Sequence, residues 1–308
     1  MASKVTDLTL SEKASGEYKM YPSDADKLSD ATVEAIRDEC ARRFKATKDP
    51  EFRVMLEGHI FRVRREETAG GAYYFLRAFD EASPLNPHRL PGGIITQLES
   101  PKLSFGGLVL IAGAAGAGKS TTASSTVISR LRRFGGVAWT IEDPIEFHLE
   151  GHHGDRNGIC WQKEVNQGEF AQAMRNVMRC YPADAAGILF VGEIRDAETA
   201  DQCLRAASNG LLVIATVHAG SLVSAIDRLV TLTTEEDRSI ARNTLADNLR
   251  LVVFQRRHPE RPKLVQTQSL WLKSTSNASM AIRSGKYFGM NNDLQEQKNR
   301  MAMGQPVC

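Results

Sequence analysis

Residues 113–120 read Gly113-Ala114-Ala115-Gly116-Ala117-Gly118-Lys119-Ser120, an unbroken match to G-x-x-x-x-G-K-[S/T]. The apolar run LVLIA at 108–112 precedes it, and the pattern that follows predicts a helix over Thr121–Arg133. In a strand–loop–helix of this kind, glycines let backbone N–H groups curl around phosphate oxygens. The helix directs the partial positive charge of its N-terminus at the same oxygens. Lys119 adds a point charge between the terminal phosphates, and the Ser120 hydroxyl can ligate Mg²⁺. Residues 113–121, Thr121 included, are therefore expected to hold a nucleoside triphosphate. A Gly/Ala-rich turn with an accidental GKS is the alternative, and the flanking elements disfavour it. Guanine-selective proteins usually carry an N-K-x-D element; none occurs here, so ATP with Mg²⁺ is the expected ligand.

Outward from the loop, apolar runs alternate with helical patterns. The strand-like runs are VAWTIE at 137–142, GILFVGE at 187–193, LLVIATVH at 211–218 and LVVFQ at 251–255. Between them lie amphipathic segments such as the one in which Phe170, Ala173, Met174, Val177 and Met178 share a helix face. Continuous apolar strands alternating with helices predict an α/β fold with a parallel sheet covered on both faces. Parallel strands bring their C-terminal ends to one edge, where ligands bind. Three of these ends carry polar chemistry: Glu142-Asp143-Pro144-Ile145-Glu146, then Gly192-Glu193-Ile194-Arg195-Asp196, then His218-Ala219-Gly220. Carboxylates there can hold Mg²⁺ and polarise a water for attack on a γ-phosphate. Each has a plainer reading, since strand-end acids often cap helices and a single histidine is usually structural. Their recurrence on three strands behind a phosphate loop argues for chemistry.

The chain before the loop reads differently. Val33, Ile36, Cys40 and Phe44 recur at helical spacing behind the cap candidates Ser29 and Asp30, which predicts a helix over Asp30–Lys45. Strand candidates follow at Phe52–Leu56, His59–Arg65 and Ala72–Phe79, with Gly58 and Gly70-Gly71 at the turns. The last two carry Arg62, Arg64, Arg65 and Arg77. Residues 83–95, SPLNPHRLPGGII, hold three prolines and a glycine pair and read as a linker.

Composition narrows the options further. At 308 residues, about two domains are expected. The 39 basic and 37 acidic residues leave a formal net charge of +2, which gives no global field for gripping nucleic acid or an anionic membrane. Five cysteines without a C-x-x-C pair encode neither a zinc site nor a disulfide framework, and fit a reducing cytosol. No stretch approaches the ~18 apolar residues of a membrane span, and the N-terminus lacks the apolar core of a secretory signal. A soluble, intracellular protein is expected.

Four motifs now occur in a recognisable order. TIEDPIEF (140–147) resembles an Asp box, LFVGEIRDAET (189–199) a Walker B segment and ATVHAGS (215–221) a His box. STSNASMAIRSGK (274–286) is similar to a C-terminal segment with an AIR element. With the phosphate loop, these resemble the type II/type IV secretion and pilus ATPases, and within them the PilT-like twitching-motility and type IV secretion branch. The resemblance covers nearly the whole chain. It implies a small PAS-like α+β domain (1–82), a hinge (83–97), a RecA-like ATPase domain with a parallel central sheet (98–273) and a C-terminal helical segment (274–308). That last segment reads as polar and more loosely organised. It implies a ring hexamer that couples ATP hydrolysis to mechanical work. The ring would act with a platform protein at the cytoplasmic face of a bacterial inner membrane, in pilus retraction or dynamics or in type IV secretion. Glu146 would be the general base, Glu193 would support Mg²⁺ through water alongside Ser120, and His218 would sense the γ-phosphate. Arg62 and Arg77 would supply arginine fingers, with Arg64 a weaker candidate, because a guanidinium stabilises spreading phosphate charge.

The chain also departs from that family. Ala115 and Ala117 replace the usual Thr and Ser of the loop. Before Walker B, Arg179-Cys180-Tyr181-Pro182-Ala183-Asp184 leaves one acid where relatives carry several. Ala219-Gly220 follow the histidine in place of a polar pair. The N-terminal domain is short for a full PAS sheet. No tetracysteine zinc insertion is present, which favours the retraction or type IVB secretion and conjugation branches. Two other readings compete. A nucleic-acid translocase on the same core would use the clusters Arg130, Arg132, Arg133 and Arg250, Arg256, Arg257. A nucleotide-binding assembly subunit without turnover is disfavoured by intact Glu146 and Glu193.

Overall fold

The computed structural model describes residues 6–13, 18–21, 28–56, 59–166, 168–183, 186–232, 237–258, 260 and 264–308. Gly58 and Asp184, named above, lie outside them. The chain forms two compact units, Met1–Glu81 and Ala82–Cys308.

The first unit is an antiparallel sheet with one helix on it. Its strand order is Tyr18–Tyr21, Asp7–Ser11, Gly71–Ala78, His59–Thr68, Glu51–Leu56. The helix runs Asp30–Thr47; the Ser29 side chain accepts from the Thr32 amide, filling one of the orphan donors at its start. Val33, Ile36 and Cys40 pack with Leu8, Leu10, Phe61, Val63 and Leu76, all essentially buried. Two strands were absent from the sequence reading. DLTLS puts Leu8 and Leu10 on one face at a period of two, but two apolar residues among polar neighbours are too sparse an alternation to announce a strand. It nevertheless pairs on both sides, so the expectation of too little sequence for a full sheet is corrected to five strands.

The second unit is built on an eight-stranded sheet. The order is Gly151–His153, Gly158–Glu164, Val137–Glu142, Gly187–Val191, Leu212–His218, Gly107–Gly113, Leu249–Arg257, Val265–Trp271. The inner strands are parallel and the two edge strands antiparallel. Burial explains the continuous apolar runs. In the central strand Leu108, Leu110 and Ala112 enter one core, with Phe170, Cys203, Leu222 and Leu245 from covering helices. Val109 and Ile111 enter the other, with Ile94, Val127, Ile128 and Leu131. Each large apolar side chain so buried stabilises the unit by roughly 1.5–3 kcal/mol before entropy.

Two expectations need correcting here. The expected linker ends inside the core, because Gly92–Leu98 is a helix with Ile94 and Leu98 buried. The C-terminal segment is not loosely held either. Ala278, Ala281, Ile282 and Met290 join the larger core, and the Asp293 carboxylate accepts from the Ala278 amide at 2.8 Å and the Asn277 side chain at 3.1 Å. Polar composition hid this, because the apolar stripe is only a few residues wide.

Candidate active site

The phosphate loop leaves the end of strand Gly107–Gly113 and enters helix Lys119–Phe134. A Cβ at Gly113 would sit 2.3 Å from the Gln255 carbonyl oxygen of the neighbouring strand, so only glycine permits that approach. Gly118 caps the helix in the left-handed region (φ 86°), and no side chain caps the helix start. The first-turn N–H groups are thus left to a ligand. Ala115, Gly116, Gly118, Lys119, Ser120 and Thr121 line a cavity of about 360 Å³. Gly113 and Ala117 are buried behind this lining.

The opposite wall comes from the other strand ends. Glu142, Asp143, Glu146, Glu193, Arg195, Thr216, His218 and Arg257 all face the same cavity. Lys119 is only 7% exposed; its Nζ donates to the Ala114 carbonyl at 3.0 Å and lies 3.5 Å from His218 Nδ1. Burial lowers its pKa below the ordinary lysine value, and the Glu193 and Glu146 carboxylates offset part of that. On its other side His218 places Nε2 3.4 Å from Glu193 Oε1. The Arg195 guanidinium then ties Glu193 (2.9 Å) to Asp143 (3.5 Å). The Thr216 hydroxyl donates to the Gly192 carbonyl and joins the two strand ends. Glu142 is buried and accepts from the Gln162 amide at 3.2 Å. Glu146 stands at the exposed rim.

The structure therefore gathers Lys119, Ser120, Thr121, Glu146, Glu193 and His218 around one space. Among the described residues no group of three or more His, Cys, Asp or Glu side chains is arranged to hold a metal. A divalent cation bound with phosphate could take most of its ligands from phosphate and water, and of the cavity lining the Ser120 hydroxyl and the Glu193 carboxylate could serve it, the latter through water. That donor set fits Mg²⁺ arriving with ATP.

Arg62 and Arg77 belong to the first unit. They are direct cross-strand partners there, and Arg62 also faces Arg53. Arg77 pairs with Asp7 at 2.8 Å, Arg62 with Glu51 at 3.5 Å, and Arg64 with the same Glu51 at 2.6 Å. Two residues lining the cavity, Arg195 and Arg257, and the fully buried Gln255 beside the loop were not assigned to the nucleotide site from sequence. Arg257 Nε donates to the Gly116 carbonyl, and Gln255 Nε2 donates to the Ala117 carbonyl at 2.8 Å. Their signal lay in position, two residues apart at the C-terminal end of the strand beside the loop.

Comparison with known proteins matches the type II/IV secretion system protein family to residues 95–283. The type IV pilus retractation ATPase PilT of Pseudomonas aeruginosa is 36% identical over 151 residues, covering 48% of this chain and 42% of that protein. A twitching motility protein of Neisseria gonorrhoeae is 28% identical over 236 residues, covering 75% of this chain and 60% of its own length. The chain thus spans less than two thirds of either relative. The crystal structure of the pilus retraction motor PilT with bound ADP superposes with a TM-score of 0.69 at 25% identity, over 98% of this chain and 87% of that one.

Proposed function

The chain belongs to the type II/IV secretion system protein family, and from that premise we propose that it hydrolyses ATP and couples the reaction to mechanical work. The work is that of a homo-hexameric ring in pilus retraction or dynamics or in type IV secretion, acting on a platform protein at a bacterial inner membrane. No helix among the described residues is long and apolar enough to cross a membrane, so membrane attachment would come through that partner.

One observation carries the reading: an uncapped helix N-terminus and Lys119 face Glu146, Glu193 and His218 across a single cavity. Loop amides and Lys119 bind the phosphates and need no reorganisation as charge spreads. Mg²⁺, arriving with the nucleotide, would be held by the Ser120 hydroxyl with Glu193 acting through water, and would supply neutralisation of phosphate charge. Glu146, free at the rim, orients the attacking water and takes its proton. Glu193 is held by Arg195 and His218, which suits a residue that must keep a fixed orientation. His218 touches both Lys119 and Glu193, so a change at the phosphate end reaches the acidic end through one imidazole. Ala115 and Ala117 leave the backbone cradle and remove two hydroxyl contacts. Arg62 and Arg77 act from the first unit, on the nucleotide of the same chain or of a neighbour.

The test is phosphate release from ATP by the purified chain with and without Mg²⁺, alongside its mass in solution and its response to single- and double-stranded DNA. Mg²⁺-dependent turnover in a six-copy assembly, indifferent to DNA, is expected. Turnover that rises several-fold with DNA would favour the translocase, and absence of nucleotide binding would remove both.

A further inference from the structure

Beside the phosphate loop, strand Leu249–Arg257 ends in two side chains that reach the loop's carbonyls, the buried Gln255 and the exposed Arg257, which also lines the cavity. The parallel pairing aligns Phe254 with Ala112, so Gln255 arrives level with the start of the loop. Alternation puts Gln255 and Arg257 on one face and Arg256 on the other. Arg256 donates to the Gln266 side chain at 2.8 Å on the adjacent strand, whereas its two neighbours donate to Ala117 and Gly116.

A trans peptide is planar, so fixing a carbonyl fixes the N–H that follows it in the opposite direction. Arg257 on the Gly116 oxygen sets the 116–117 plane, whose N–H closes a turn onto the Ala114 carbonyl at 3.2 Å. Gln255 on the Ala117 oxygen sets the 117–118 plane and turns the Gly118 N–H away from the strand. Gln255 is fully buried, and its Oε1 finds no partner among the described residues. A buried, unmatched acceptor costs roughly 1–3 kcal/mol. A side chain present only to fill space would avoid that cost. The loop itself has few alternatives, since Ala115 and Ala117 offer no hydroxyl to brace it from within.

We propose that Gln255 and Arg257 are positioning residues that clamp the phosphate loop through its Gly116 and Ala117 carbonyls and so preset its amides for phosphate. The proposal rests on reading the cavity as a nucleotide site. Its test has two independent readouts on the full chain, with Arg256→Ala as the control. The first is hydrogen exchange of peptides covering 113–121 without nucleotide; the second is the dissociation constant for fluorescently labelled ADP with Mg²⁺. Gln255→Met and Arg257→Ala are expected to exchange faster in that segment and to bind about three- to tenfold more weakly, as expected for one hydrogen bond. A cradle set before binding acts on ground and transition states alike, so KM should rise with kcat nearly unchanged. Arg257→Gln, which still donates but has no charge, should recover most of the loss. If Arg257→Lys is near the parent while Arg257→Gln is as poor as Arg257→Ala, Arg257 is a phosphate cation and the clamp is wrong. Unchanged exchange and affinity in both Gln255→Met and Arg257→Ala would also overturn it. Should Gln255→Met fail to fold, the exposed Arg257 series decides alone. If the parent binds no ADP, the nucleotide reading fails, and exchange in the nucleotide-free chain still judges the clamp.

Discussion

Replacing Lys119 with methionine should push the protein in opposite directions with and without nucleotide. In the free protein Lys119 is 7% exposed, and its ammonium has the Ala114 carbonyl at 3.0 Å and an imidazole nitrogen at 3.5 Å as close partners. Burial outweighs the nearby Glu193 and Glu146 and lowers its pKa. The folded state therefore holds this proton less tightly than the unfolded chain. At neutral pH the group is charged in both states and the full penalty acts. The penalty fades as pH rises through the lowered folded value and is gone above the ordinary lysine value of about 10.4. Lys119→Met should then be neutral to about 1 kcal/mol more stable without nucleotide at pH 7, and the gap should close toward pH 10.

With nucleotide the sign reverses. Hydrogen bonds from a charged donor are worth about 1.5–3 kcal/mol, or roughly ten- to 150-fold in affinity. At a ligand concentration of 100 times the parent dissociation constant, binding stabilises the parent by about 2.7 kcal/mol; a hundredfold weaker variant keeps only about 0.4 kcal/mol. For a unit of this size that is a ligand-induced shift in Tm of about 5–10 °C falling to about 1 °C. Thermal melts at pH 7 and 9.5, each with and without Mg·ADP, read both effects. A methionine variant that loses more than about 1 kcal/mol without nucleotide, or that keeps the parental ADP shift, would refute the assignment of Lys119 as a buried charge held in place for phosphate.

Glu146→Gln should keep ATP affinity within about threefold and lose at least about 100-fold in kcat, because the amide preserves shape and cannot accept the proton; if Glu193→Gln alone stops turnover, the two roles exchange. An Arg62→Ala, Arg77→Ala chain should bind nucleotide and hydrolyse about 10³-fold more slowly. Mixing it with Lys119→Met chains and recovering activity would place the arginines across a subunit boundary, whereas parental activity of the double variant alone would assign them only to their ion pairs with Glu51 and Asp7. Gly113→Ala should cost about 2–4 kcal/mol of stability in urea melts, since its Cβ would meet the Gln255 carbonyl oxygen at 2.3 Å.

What was legible in the sequence was whatever its neighbours in the chain could announce. GAAGAGKS, the strand VAWTIE and the helix capped by Ser29 are local patterns, and their elements run Gly107–Gly113, Val137–Glu142 and Asp30–Thr47. Short strands at sheet edges were not legible, because Gly151–His153 and Tyr18–Tyr21 owe their form to a partner strand and bury little of their own. The site divides in the same way. Lys119, Glu146, Glu193 and His218 each stand in a motif, so residue type and spacing exposed them. Gln255 and Arg257 meet the loop 138 and 141 residues away in sequence. In composition Arg256 and Arg257 were one basic cluster, readable as a nucleic-acid patch. Strand alternation separates them: one side chain crosses to Gln266 on the hairpin, the other reaches the Gly116 carbonyl of the phosphate loop. A charge count cannot distinguish a patch from a pair that points in opposite directions. The period of the strand that carries them can, and it assigns Arg257, with Gln255, to the nucleotide edge of the sheet.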